Sequence, residues 1–133
     1  VDYFIFFSLL LFPLILALKY DYTKPEHDKE RYKCQSPIES RLYEALKRNG
    51  YPVSTQVREG PYSIDIALRG ARIAIECDGK DYHSSPSQKE RDRKRDAFLR
   101  RRGWKVLRFS GKRIYRDLNG ILARIEKEII KKL

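Results

Sequence analysis

The residues best placed to do chemistry are acids inside two strand-like stretches, Ser63-Ile64-Asp65-Ile66-Ala67-Leu68 and Ile73-Ala74-Ile75-Glu76-Cys77-Asp78-Gly79. A carboxylate among β-branched aliphatics costs free energy to bury unless a partner or a metal ion stabilises it. Side chains alternate along a strand, so Glu76 and Asp78 share one face while Ile73, Ile75 and Cys77 share the other. With Asp65 on a neighbouring strand, the spacing predicts three carboxylates converging on one spot. That is a donor set for a hard divalent cation. Such an ion acidifies bound water and offsets charge on an anionic oxygen. The plainer alternative is that Asp65 and Glu76 pair with arginines or line a solvated sheet face.

The charge balance points the same way. The chain has 133 residues, enough for one domain and a short extra segment. It carries 29 Lys and Arg against 18 Asp and Glu. That surplus favours a polyanionic partner, either nucleic acid or an anionic membrane surface. Cys34 and Cys77 are far apart and lack metal-type spacing, which argues against a disulfide framework and a zinc site. Only His27 and His83 are present, which argues against a histidine-rich metal site as well.

The elements that must position these acids follow from pattern. Ser36-Pro37-Ile38-Glu39 reads as a helix start, with Ser as N-cap, Pro at the first position and Glu at the third. Ile38, Leu42, Ala45 and Leu46 form its apolar stripe, and Asn49-Gly50 ends it. Tyr51 to Val57 reads as a first strand, Gly60-Pro61 as a turn into the Asp65 strand, and Ala71 to Asp78 as a third strand. A loop then leads to a basic helix from Gln88 to Arg102. Trp104 to Phe109 reads as a strand, and one helical turn and a longer helix close the chain. The fold class is α/β, a small mixed sheet flanked by helices over residues 36–133. Residues 19–35 read as a charged linker with some helical character. Residues 1–18, apolar apart from Asp2, read either as a membrane anchor holding a basic domain on the cytoplasmic face or as a hydrophobic extension packed on the domain.

The order helix, three strands, helix, strand, with Asp on the second strand and Glu-x-Asp on the third, resembles the PD-(D/E)XK, or restriction-endonuclease-like, superfamily. Within it, residues 36 to about 125 resemble the small domains related to very-short-patch-repair endonucleases. The matching pieces are Glu39, Asp65, Glu76-Cys77-Asp78-Gly79, His83, the run Asp92 to Gly103 and Val106-Leu107-Arg108-Phe109. The resemblance implies an αβββαβ core and a Mg2+-dependent endonuclease, with Mn2+ able to substitute, acting on nucleic acid and on DNA first. It implies metal binding by Glu39, Asp65, Glu76 and the Cys77 carbonyl, with Asp65, Glu76, Asp78, Lys80 and His83 as the catalytic set. Asp78 stands where the superfamily's name motif has lysine, so Lys80, Gln56 and His83 are the candidates for that task. Gln56, Tyr82, Arg91, Arg95 and Arg108 are the candidate nucleic-acid contacts, and some arginines of the basic helix, notably Arg95, are expected to pair with the site's acids. A domain this small implies a dimer or a partner wherever sequence specificity is strong. The same fold with cleavage lost, a nucleic-acid-binding module, is the alternative that Asp78 keeps open.

Overall fold

The computed structural model describes residues 28–79 and 85–133, together with Tyr3. Along the chain, α1 (Lys29–Lys33) and α2 (Pro37–Arg48) precede β1 (Ser54–Glu59), β2 (Tyr62–Leu68) and β3 (Ile73–Asp78). Then come α3 (Pro86–Arg101), β4 (Lys105–Ser110), α4 (Gly111–Arg116) and α5 (Leu118–Ile130). The strands form one sheet in the order β1-β2-β3-β4. The first three make an antiparallel meander, and β4 returns parallel to β3 after the α3 crossover. The α/β architecture read from the sequence is therefore the one observed.

Local chemistry explains the elements. Ser36, in extended conformation, accepts the Glu39 N–H at 3.3 Å and starts α2, with Pro37 in the first turn. Leu42, Ala45 and Leu46 turn its apolar stripe inward, and all are buried. The β1–β2 register ends at Glu59↔Tyr62, so Gly60-Pro61 makes the turn. Gly60 has φ 57°, and a Cβ there would lie 2.5 Å from Phe98 Cζ, so only glycine fits without displacing that ring.

The sheet has a different kind of core on each face. Against α2, α4 and α5 lies the larger one, with Leu42, Leu46, Ile66, Ile75, Ile121 and Ile125 all fully buried. Against α3 lies a thinner one, in which Leu99 and a partly buried Phe98 meet Ile64, Ala67, Ala74, Trp104 and Val106. Trp104 is a core residue, as its place at a strand opening suggests.

Several boundaries differ from the sequence reading. Helix α3 begins at Pro86, two residues before the expected Gln88, because Ser85 caps it by accepting the Gln88 N–H at 3.2 Å. Strand β1 begins at Ser54 and continues to Glu59, since the two-residue turn pairs it with β2 to its end. The last part of the charged stretch is docked rather than free. The Glu30 carboxylate accepts the Thr55 N–H at 2.6 Å, and Asp28 accepts from Lys47 Nζ at 2.6 Å and Tyr43 Oη at 2.8 Å. Residues 1–18, read as an apolar anchor or extension, lie outside the described residues except Tyr3, as do residues 19–27. Among the described residues no helix is long and apolar enough to cross a membrane.

Candidate active site

Strands β2 and β3 pair over Leu68↔Ile73, Ala67↔Ala74 and Ile66↔Ile75. The next positions along this register are Asp65 and Glu76, and there the ladder stops. β2 goes on with β1 as far as Tyr62, while β3 goes on with β4 as far as Ser110. The sheet thus forks at the two acids. The backbone N–H of Cys77 would be orphaned by the fork, and the Asp65 carboxylate accepts it at 3.0 Å.

Glu76 is the more confined acid, with 2 % of its surface exposed. Its Oε2 accepts from the Arg95 guanidinium of α3, which also donates to the Ser63 carbonyl at 2.6 Å. Among the described residues, Glu76 Oε1 is buried without a hydrogen-bond partner, and so is Arg95 Nε. Burial first, and then the Asp65 carboxylate, push the Glu76 carboxyl up to about 8 against the pull of Arg95 and Arg108. Arg95 reaches only Glu76 of the two acids and Arg108 is bonded to Asp96, so the pair is short of positive charge. Cys77 is also shifted upward, by burial and then by Asp65, Glu39 and Glu76, so its thiol stays protonated at neutral pH. For a hard cation its carbonyl is the oxygen it could offer.

Glu39 enters from the first turn of α2. It is buried, and its Oε2 accepts the Gln35 N–H at 2.8 Å and Gln56 Nε2 at 3.1 Å. The two roles share one atom: Oε2 holds the backbone just before the helix through Gln35 and meets Gln56 of β1, while the Glu39 N–H meets Ser36. The Gln56 carbonyl oxygen accepts from Ser63 Oγ at 2.9 Å.

The structure does not assemble the expected triad of acids. Asp78 is exposed at the end of β3, opposite Ser110. Although it shares parity with Glu76, it is about 6.6 Å further along the strand. Among the described residues, no three His, Cys, Asp or Glu side chains are grouped so as to hold a metal ion. What converges is the pair Asp65 and Glu76. Lys80, Tyr82 and His83 lie outside the described residues. Of the candidate nucleic-acid contacts, Arg91 is exposed on α3, whereas Arg95 is committed to Glu76 and Ser63. Arg108, beside Glu76 in the β3–β4 register, donates to Asp96 at 2.8 and 3.3 Å and has Asp92 at 3.9 Å. Ser63 was missed by the sequence reading; a serine at the end of a strand carries no signal of its own. Asp92 and Asp96 did carry one, being an i,i+4 acidic pair on one face of an otherwise basic helix.

Comparison with known proteins agrees with the fold. The solved catalytic domain of the homing endonuclease I-Bth0305I superposes with a TM-score of 0.61 at 19% identity, covering 74% of this chain and 98% of that domain. At that identity the likeness speaks for the fold. An uncharacterized protein of Haemophilus influenzae is 29% identical over 94 residues, which cover 68% of this chain and 77% of the relative. A second uncharacterized protein of that organism is 31% identical over 80 residues, 60% of this chain and only 49% of the relative, so the chain spans about half of its length. Residues 38–129, from the first turn of α2 almost to the end of α5, match one family throughout, and by that match the chain belongs to the restriction-endonuclease-like family REase_MTES_1575.

Proposed function

We propose that this domain is a divalent-cation-dependent endonuclease that hydrolyses phosphodiester bonds in DNA. One observation carries the reading: a fork in the sheet holds Asp65 beside Glu76, and among the described residues no hydrogen-bond donor meets the buried Glu76 Oε1. The donor set fits Mg2+ or Mn2+, since two carboxylates and the Cys77 carbonyl are hard oxygen ligands and a cation would supply the charge that the pair lacks. When bound, such an ion acidifies a water and offsets charge on a phosphate oxygen. The chain's own residues do the rest. Asp65 and Glu76 would hold the ion, and Glu39 supports the site from α2 through Gln56 and Ser63. Arg95 keeps Glu76 in place from α3. The exposed cations of α3, among them Arg91 and Lys94, hold the backbone phosphates without reading sequence. Asp78, Lys80 and His83 are the candidates for handling the protons of water and leaving group.

The test is direct. The full chain is incubated with supercoiled plasmid, with and without Mg2+ or Mn2+, beside Asp65→Ala. Nicking that requires the metal, and is lost in Asp65→Ala while DNA binding persists, is the expected result. Salt-sensitive binding with intact plasmid in every metal would replace the enzyme by a binding module of the same fold.

A further inference from the structure

Gln56 stands in a backbone conformation that its residue type rarely takes. Its φ is 47°, in the left-handed region, within a strand. It occupies the position of β1 opposite Asp65, between the pairs Thr55↔Ile66 and Val57↔Ile64. The strained residue changes how the hairpin packs. On one side of it Ile66 belongs to the larger core, whereas two residues away Ile64 and its partner Val57 belong to the thinner core under α3. Strict alternation would have kept Ile64 and Ile66 on one face. The alternation is therefore broken at Gln56 and Asp65 together, at the mouth of the fork.

The side chain of Gln56 spans the same place. Nε2 donates to Glu39 and Oε1 accepts from Ser63, whose carbonyl in turn accepts from Arg95. A carboxamide is the group this position needs, because it must present a donor to a carboxylate and an acceptor to a hydroxyl at once. Glutamate would set a second carboxylate against Glu39, and a shorter side chain would reach one partner only. We infer that Gln56 is a positioning residue: its amide fixes the Glu39 carboxylate relative to the Ser63–Arg95–Glu76 side of the fork. It acts through Glu39 and Ser63, not on the substrate. This inference rests on the nuclease reading of the site.

Two substitutions separate the amide from the strain. Glycine takes φ 47° without cost and asparagine takes it readily, so Gln56→Gly and Gln56→Asn keep the backbone while removing the bridge. Both are expected to fold, with the thermal midpoint of Gln56→Gly no lower than that of the wild type. Both are expected to cleave plasmid about 10- to 100-fold more slowly, the range seen when a partner behind a metal ligand is lost. Their KM for DNA stays unchanged, because phosphate contacts are untouched. Mn2+ affinity, read by calorimetry, falls by a similar factor. The 13C resonance of the Glu39 carboxyl reports the bridge itself, whatever the chain cleaves, and it should move in both variants. An active wild type whose Gln56→Gly variant cleaves at the same rate overturns the positioning role and leaves the nuclease standing. An inert wild type whose Glu39 resonance still moves sinks the nuclease reading and leaves the bridge standing.

Discussion

The two faces of the sheet are built on opposite terms. The face against α2, α4 and α5 is almost wholly aliphatic, and its members are sealed from water. The face against α3 has a thinner apolar patch, beyond which Arg95, Glu76, Arg108 and Asp96 interlock. Burying such charges gives little net stability, because the loss of hydration offsets much of the attraction between partners. A chain that needed only a stable sheet would have covered both faces with aliphatics. The contrast teaches that one face holds the fold together, and that the other spends stability to keep charged groups in fixed places.

The sharpest way to break this comparison is to cut each face once. Asp65→Ala should bring cleavage down to background, a larger loss than the 10- to 100-fold typical of an outer partner (about). The fold survives, because repulsion on Glu76 falls as the Cys77 N–H loses its acceptor. Leu46→Ala, on the aliphatic face, should do the reverse and cost about 2–5 kcal/mol of stability. Below its melting range it should cleave at the wild-type rate per folded molecule. Chemical denaturation and plasmid nicking on the same preparations check both. If Leu46→Ala lost cleavage while folded, the two faces would not be separable.

A smaller effect concerns pH. Glu76 has its folded carboxyl raised to about 8 from the ordinary 4.5. The folded chain therefore holds a proton there that the unfolded chain has released between those two values. Stability from this group is complete below about 4.5 and is lost as pH rises through about 8. Glu76→Gln removes the titration, so its thermal midpoint should gain on the wild type as pH rises from 5 to 9 (roughly this window), even as cleavage disappears. Added Mg2+ should stabilise the wild type more at the upper end of that range and leave the variant unmoved. Parallel melting curves for the two chains, with equal pH slopes, would show that Glu76 does not titrate in this window.

How much of this was legible beforehand follows from the kinds of signal. The caps were: Ser36-Pro37 begins α2, and the same Ser-Pro signature at Ser85-Pro86 sets the start of α3, which was placed two residues late. The acids at Asp65 and Glu76 stood out because charge among aliphatics breaks a local rule. The pairing of Arg95 with a site acid was expected and is observed. Asp78 misled because strand parity gives a side and not a distance. The fork was invisible, since where two strands part depends on hydrogen bonds between residues eleven apart in sequence (about). The left-handed Gln56 was invisible too: glutamine has no preference for that region, and only tertiary packing holds it there.

The smallest expected effects lie on α3 itself, where two arginines one turn apart have opposite employment. Arg95 is engaged with Glu76 and Ser63, whereas Arg91 is exposed, as is Lys94. A phosphate contact made by an exposed cation displaces a condensed counterion from DNA, so it should be read in the salt dependence of binding. Arg91→Ala and Lys94→Ala should each flatten the slope of log K against log salt by about 0.9 if each meets one phosphate. Each should weaken binding equally for unrelated DNA sequences and change folding stability by no more than about 0.5 kcal/mol. Arg95→Ala should leave the salt slope alone, because its guanidinium is held inward on Glu76 and the Ser63 carbonyl. Arg95 pulls the raised Glu76 carboxyl downward, so its loss raises that group further and the variant's instability should grow with pH. Fluorescence titrations across a salt series distinguish the two arginines. A slope change in Arg95→Ala equal to that in Arg91→Ala would mean that the α3 face meets DNA as one undivided basic surface, and the division between holding acids and holding phosphates would have to be withdrawn.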